Sequence, residues 1–544
     1  MSFKKNQTFD YIIVGAGSAG CVLASRLTED PDVRVLLLEA GQWDRDPWIH
    51  VPLGWGRIVQ RRLHDWHYNV EPQANLSSRS VPCLRGKVIG GSSSTNAMSY
   101  VRGHNADYDR WAAAGLTKWS FKQSLPYFKR QESWEGGESE FRGGDGPLKT
   151  QYSRYADPLL DALIAGTQEA GHPFNSDYNG PHQDGVARLQ STIHRGRRCS
   201  NADGYLRNAL ARPNLKVVAN VLVRSILMNG TRVTGVELAE NDGSKKVIAE
   251  REVIISCGVI NSPKLLMLSG IGDPVELRKV GIAPRHALRG VGRNLQDHVC
   301  SVVTFRRKGR GPFHHMMRAD RAGIAVAQAY LFGTGFAADV PGGVTAFLKS
   351  PHAGQLPDIQ LLLNAAPFNA RLYLHPHFGG FDDTFALRMV LLRPQSRGSI
   401  ILASDEPTAP PRISQNFLSM ASEWDLLRDA VRMAREIASR PSIRNFVDRE
   451  ITFPHASKDT KDELDEQIRQ TAATVNHPLG TCKAGISSDD MAVVDEDLRV
   501  MGLSNLRVVD ASVMPDLVGG NINAAVTMIA ERASDVIRGR VLLH

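Results

Sequence analysis

The sequence predicts an α/β protein with a discontinuous Rossmann-type nucleotide domain and a second, α+β domain. Three observations predict it. A strand, a glycine turn, a helix and a second strand follow one another at the N terminus. An alternating β pattern returns after residue 214. A last strand and an amphipathic helix close the chain, after a long stretch without nucleotide-loop features. At 544 residues the chain also exceeds one ordinary domain, since domains run to roughly 150 residues.

The elements follow in order. "DYIIVGAG" is an apolar run ending in glycines, and "SAGCVLASRLTED" is a helix stopped before Pro31. "VRVLLLEAG" is a second buried strand, which completes one βαβ unit. From Pro72 to Gly103 the chain is rich in Ser, Gly and Asn and reads as loop. Helical spacing returns in "ADYDRWAAAG" and "FKQSLPYFKRQE". Beyond Asn214, "LKVVAN", "VLVRSILM", "RVTGVELAE" and "KKVIAEREVIISCG" read as strands, with turns at Asn229-Gly230 and Asp242-Gly243. Together they suggest an antiparallel meander feeding back into the parallel sheet. Residues 301–469 mix strands such as "DIQLLLN" and "LRMVLLRP" with helices such as "SEWDLLRDAVRMAREIAS". "NLRVVDAS" and "NAAVTMIAERASDVIRG" then return to the first domain. The expected division is 1–155, 196–300 and 470–544 for the nucleotide domain, and 156–195 and 301–469 for the substrate domain.

Composition excludes several classes. Hydrophobic residues at 42% and charged residues at 22% are those of a folded globular protein. The net charge of +8 is spread thinly, and its densest piece, "FRRKGRGPFHHMMRADR" at 305–321, reads as a solvated loop. No nucleic-acid module accompanies it. Six cysteines without C-x-x-C spacing point to reduced thiols, with no metal site and no disulfide framework. The N terminus runs directly into a strand, leaving no room for a signal peptide. "AGIAVAQAYLFGTGFAA" at 322–338 is too short and too interrupted to span a bilayer. The expected location is cytoplasmic, with peripheral contact at the inner membrane surface left open.

Gly15, Gly17 and Gly20 form G-x-G-x-x-G between strand and helix, and Glu39 ends the next strand. The glycines permit a tight turn and close backbone approach, the helix N terminus offers N–H groups to a pyrophosphate, and the carboxylate accepts from ribose hydroxyls. This pattern leaves NAD and FAD as alternatives. A second small-residue loop, "RGKVIGGSSSTNAMSYVRG" at 85–103, could bring backbone close to a remote redox ring.

With "GVINSPKLLMLSGIG" (258–272), that loop resembles the two signature segments of the glucose–methanol–choline (GMC) oxidoreductase family. "VGRNLQDH" (291–298), "RPQSRGS" (393–399), "NHPLGTCKAG" (476–485) and "VVDASVMPDLVGGNINAAVTMIAERASD" (508–535) are similar to it as well. The pattern looks most like the choline, aliphatic and aryl alcohol dehydrogenase branch. The resemblance implies FAD. Gly90, Gly91, Ser92, Asn96 and Ala97 would lie along the ribityl chain and flavin, Asp510 near the ribityl and pyrophosphate region, and Asn523 against the flavin. Asp510 also suits a helix or turn cap, and Asn523 a helix N-cap.

His477 matches the family's catalytic histidine, and an imidazole can take the proton of an alcohol near neutral pH. Asn521 matches its partner position, where relatives carry His or Asn, and can hold the substrate oxygen without taking the proton. His298 lacks a proton-transfer role in the family pattern and is treated as structural. Some relatives bear a histidine that bonds the flavin at the position of Thr95, so FAD is expected to be non-covalent here. The implied activity is oxidation of an alcohol, primary in this reading, with oxygen, a quinone or another acceptor reoxidising the flavin. The alternatives are a hydroxynitrile lyase of the same fold and an NAD-binding module. Choline would need an aromatic cage or a carboxylate, and the sequence does not place one.

Overall fold

The computed structural model describes residues 8–240, 243–367, 370–374, 379–452 and 459–543. The first sheet begins with β1 (Thr8–Val14) and β2 (Val35–Leu38), the latter buried throughout as a strand covered on both faces must be. Helix α1 (Ser18–Leu27) connects them. The sheet continues with β3 (Leu215–Val218), β4 (Val223–Asn229), β5 (Arg232–Glu240) and β6 (Gly243–Ile255), in the order β3-β2-β1-β6-β5-β4, and Leu506–Val508 pairs with β6 as a seventh strand.

The meander therefore holds three strands, and β3 lies apart from it, parallel to β2 from Leu215↔Val35 to Val218↔Leu38. Alternation reports which face a residue occupies and says nothing of its partner strand. Strand β6 joins the two patterns. Its start pairs antiparallel with β5, while Val253–Ile255 run parallel to Leu506–Val508. Gly230 turns the first hairpin at φ +59°, and Asp242 of the second expected turn lies outside the described residues. Helix α2 (Gly258–Leu268) follows β6.

The C-terminal helix Asn523–Arg538 packs along α1. Between them Glu531, fully buried, receives Arg26 at 2.7 Å, Arg130 at 2.7 Å and the Tyr205 hydroxyl at 2.7 Å. A buried carboxylate survives only when it is satisfied in this way.

The second sheet is antiparallel. It contains β7 (Val299–Arg307), β8 (Val344–Leu348), β9 (Ile359–Asn364) and β10 (Thr384–Leu391), in the order Val447–Glu450, β7, β10, β9, β8, Gly185–Arg188. Side chains alternate. Val303, Ala346, Leu361, Leu363, Leu387 and Met389 enter a core shared with helices Pro158–Glu169 and α3 (Ala421–Ser439). The opposite face carries Thr345, Gln360, Leu362, Asn364 and Arg388.

The basic stretch 305–321 is not a solvated loop. Arg306 and Arg307 belong to β7, and Pro312–Met316 is helical. Arg307 is buried because Asp157 meets both its Nη atoms at 2.7 Å, a bidentate pair that sequence charge density cannot reveal. Helix Ala319–Phe332 covers most of the apolar stretch, and no helix among the described residues is long and apolar enough to cross a membrane. All six cysteines are free thiols, and no metal-binding cluster occurs among the described residues.

Candidate active site

A cavity of about 480 Å³ runs from the first glycine loop to His477, between the two sheets. Gly15 sits at φ +100°, and a Cβ there would meet the Ser256 carbonyl oxygen at 2.4 Å, so the turn after β1 requires glycine. Glu39, at the end of β2, accepts from Ala16 N–H at 2.9 Å and Gly41 N–H at 2.8 Å. Burial pushes its carboxyl up to about 7. Gly20 lies outside the cavity wall. Its missing side chain lets α1 pass the Gly15 carbonyl, which a Cβ would approach to 1.9 Å.

The two glycine loops touch. Gly90 N–H donates to the Ala16 carbonyl at 2.7 Å, and a Cβ on Gly91 would lie 2.7 Å from Gly17 Cα. Gly90 itself stays behind the wall, which Gly91, Ser92, Thr95, Asn96 and Ala97 form. Arg198 holds this loop from behind. Its Nη1 donates to the carbonyls of Ser93 and Asn96 at 3.2 and 2.7 Å and to Asn96 Oδ1 at 2.8 Å, while Nε donates to the Ile49 carbonyl at 2.8 Å. Burial alone pushes this guanidinium down to about 9. No sequence signal marks Arg198.

Asp510 lines the cavity and also caps the short helical turn after Leu506–Val508. It accepts from Ser512 N–H at 2.8 Å, Gly258 N–H at 2.9 Å and the Ser262 hydroxyl at 2.5 Å. Asn523 lines it too, but it is not an N-cap. Ile522 holds that position, and the Asn523 Oδ1 instead accepts from Ser18 Oγ at 2.7 Å, tying the last helix to the first loop.

At the far end the motif ending "NLQDH" and the segment "NHPLG" face each other, with Gln296 and Leu479 exchanging backbone hydrogen bonds. Asp297 accepts from His477 N–H at 2.9 Å and from the Thr474 hydroxyl, and burial pushes its carboxyl up to about 6. His298 is more than a packing residue. Its Nε2 lies 3.0 Å from the Leu392 carbonyl and its Nδ1 lies 3.1 Å from His477 Nδ1.

These contacts fix both tautomers. A carbonyl only accepts, so His298 Nε2 carries a hydrogen. Burial pushes His298 down to about 4, so the ring is neutral and its Nδ1 is an acceptor. His477 Nδ1 must then be the donor, which leaves His477 Nε2 with a lone pair. That nitrogen lies 3.0 Å from Asn521 Nδ2. Gln360 Nε2 contacts the other end of the Asn521 amide at 3.5 Å, consistent with that orientation. Burial first, and then the guanidinium charges of Arg85 and Arg388, hold His477 well below the usual imidazole range.

The site thus joins a backbone-lined channel, with no room for Cβ atoms where the two loops meet, to a neutral imidazole and a carboxamide. These residues fit the FAD that the sequence resemblance implies: Gly15, Gly17 and Glu39 at the dinucleotide end, and Gly91 to Ala97, Asp510 and Asn523 further along. Arg198, which sequence reasoning missed, and His298, which it treated as structural, act on site residues from outside the cavity wall.

Comparison with known proteins accords with this geometry. The N-terminal GMC oxidoreductase family profile matches residues 9–300 and the C-terminal one 394–530. The chain is 39% identical over 542 residues to an oxygen-dependent choline dehydrogenase of Photobacterium profundum, covering 99% of this chain and 94% of that protein. It is 40% identical to the mitochondrial choline dehydrogenase of Homo sapiens, covering 98% and 90%. Among solved structures, pyridoxine 4-oxidase from Mesorbium loti superposes with a TM-score of 0.87 at 31% identity, covering 98% of this chain and 100% of that one. A formate oxidase variant of Aspergillus oryzae, studied for FAD modification, gives 0.88 at 26%, covering 99% of each.

Proposed function

Because this chain belongs to the GMC oxidoreductase family, we propose that it oxidises a primary alcohol to an aldehyde with His477 as the base. It is an FAD-dependent alcohol oxidoreductase. When bound, FAD supplies the hydride acceptor at its N5 position.

The observation that carries the proposal is the tautomer of His477. With Nδ1–H committed to His298, the free lone pair on Nε2 sits beside the amide hydrogens of Asn521. An alcohol hydroxyl entering there donates to His477 Nε2 and accepts from Asn521 Nδ2. The proton leaves the oxygen as the carbinol carbon gives up its hydride. Asn521 stabilises the charge developing on that oxygen but cannot take a proton near neutral pH. Thr95, in the second loop, has no imidazole with which to bond the ring, so FAD is held non-covalently.

Anaerobic reduction of the bound flavin by a panel of primary alcohols tests the reading. His477→Ala should slow reduction by roughly 10²–10⁴-fold, the usual contribution of a general base, with FAD still bound. Asn521→Ala should slow it by up to about one decade. Near-native reduction by the His477→Ala protein would refute the assignment. So would cyanide release from a cyanohydrin with no alcohol able to bleach the flavin.

A further inference from the structure

Helix Ala319–Phe332 reverses the usual arrangement of a surface helix. Its buried positions are Ala322, Ala325 and Ala329, three methyl groups on one face, which meet Val51, Ala337 and the half-buried Leu53, Met316 and Phe336. Its large apolar side chains point the other way. Ile324 is 69% exposed, Leu331 65% and Phe332 74%, with Tyr330 at 41%. Gly323 and Ala327 are exposed between them, so from 323 to 332 the outer face holds one polar side chain, Gln328. Gln328 folds back on the following turn, its Nε2 3.3 Å from Thr334 Oγ1. A helix that serves only the core of its own chain carries its large apolar residues inward.

The charge around this face has one dominant sign among the described residues. Arg321 is exposed within the helix, and Lys308 and Arg310 are exposed just ahead of Pro312–Met316, the short helix packed against it. At the other end, the hairpin of Ile193–His194 and Arg197–Arg198 exposes Arg195 and Arg197. Arg197 donates to the Tyr330 carbonyl and stands 5.4 Å from the Tyr330 ring. The nearby carboxylates are already engaged. Asp320 pairs with Arg318 at 2.6 Å, Asp203 with Arg207 at 3.0 Å and Asp382 with Arg306 at 3.4 Å, while Asp339 is buried and accepts from Ser153 Oγ at 3.1 Å. The undescribed stretches 368–369, 375–378 and 453–458 contain no Asp or Glu.

Apolar side chains ringed by guanidinium groups match an anionic phospholipid surface, whose acyl boundary takes the former and whose phosphates take the latter. We propose that this helix is a membrane-docking face: Ile324, Leu331 and Phe332 enter the boundary of an anionic bilayer, and Arg321, Arg195 and Arg197 meet its headgroups. The helix lies in the plane of the membrane, since its 14 residues are too few to cross one. A second copy of the chain fits less well. A two-fold contact sets each patch against itself, so the same arginines would face one another with little acid to offset them.

The docking face borders the cavity. The helix rests on Leu53, two residues before the wall residue Trp55, and on the turn Phe336–Ala338, just before the wall residue Val340. Trp55 packs in turn on the cluster that contains Val340. Docking therefore sets the Trp55 and Val340 part of the wall on the membrane side, whichever compound the cavity accepts.

Flotation of the holoenzyme with lipid vesicles tests this. Vesicles of phosphatidylcholine and phosphatidylglycerol in equal parts should carry the wild-type protein upward, phosphatidylcholine alone should carry little, and high salt should weaken the first. Replacing two exposed side chains together, Leu331→Asp with Phe332→Asp, should lower partitioning by on the order of tenfold or more, the share of two apolar groups. Flavin occupancy and thermal midpoint should stay at wild-type values. Ile324→Asp, two turns away, makes the same comparison independently, and Arg321→Glu with Arg195→Glu should weaken binding to the mixed vesicles. Wild-type protein that binds neither kind of vesicle overturns the proposal, and a wild-type dimer that the Leu331→Asp, Phe332→Asp pair dissociates would then assign the face to a second copy. Undiminished flotation of that double variant and of Ile324→Asp overturns it as well.

Discussion

Replacing His298 with leucine isolates the contact on which the proposed base depends. The substitution removes the acceptor 3.1 Å from His477 Nδ1 while leaving His477, Asn521 and the cavity wall in place. To stay productive, the imidazole must then keep a hydrogen on a buried nitrogen that has no partner, at a cost of about 1–3 kcal/mol. The alternative tautomer places a hydrogen on Nε2, where it meets the Asn521 amide hydrogens and cannot receive a proton. Either way the productive population falls, and 1–3 kcal/mol corresponds to roughly a 5- to 150-fold slower flavin reduction. Anaerobic stopped-flow reduction by a good primary alcohol measures it directly. His298→Asn offers an amide oxygen to the same N–H and should recover much of the rate. The acid limb of the pH profile should survive in both variants, since His477 still takes the proton, whereas His477→Ala should lose it. That limb belongs well below the ordinary imidazole range, because burial and nearby positive charge depress His477. Reduction within twofold of wild type by the His298→Leu protein, with the flavin fully bound, would show that the tautomer argument is wrong.

Other outcomes follow from the cofactor end. Gly91→Ala, at φ +54° with a Cβ 2.7 Å from Gly17 Cα, must separate the two loops, so the purified variant should have lost most of its flavin by absorbance; full occupancy would contradict the geometry. Acid precipitation of the wild-type protein should leave yellow in the supernatant and a colourless pellet, as Thr95 requires. The Glu39 carboxyl holds its proton to about pH 7 in the fold against about 4.3 for an unperturbed glutamate. Between those values the folded state binds more protons, so stability of the FAD-free protein falls as pH rises through that window and levels off above it, by up to about 3–4 kcal/mol. Glu39→Gln should remove that part of the dependence, read as the difference in urea midpoints at pH 5 and pH 8; an unchanged difference would refute it.

What could be read from the sequence were features that local constraint enforces. Gly15, Gly17 and Gly20 are visible because the turn and the passing helix exclude a Cβ, and Glu39 because it ends an apolar strand at the expected spacing. The histidine at 477 was recognisable only through the motif around it. The contacts that give it a defined proton were not legible, since His298 lies 179 positions away and the carbonyl that orients it belongs to Leu392. Arg198 reaches the second loop from about a hundred positions off with no charged partner to advertise it. Strand β3 was legible as a strand and misplaced in the sheet, because its neighbour β2 lies far back in the chain and periodicity carries no record of pairing.

The union of the first and last helices has a consequence for biosynthesis. Ser18 and Asn523 are 505 positions apart, so at ribosomal speeds of about 5–20 residues per second the N-terminal turn emerges roughly 25 to 100 s before its partner. Throughout that interval the face of α1 that meets the last helix waits uncovered, while the strands of the second sheet are all made before that helix. The flavin channel can close only after residues 521–526 have been made. A chain released before Asn523 would hold the core beneath the second sheet but lack the last helix's share of the first, with its cofactor channel open, and cellular quality control would meet it as an incomplete apoprotein.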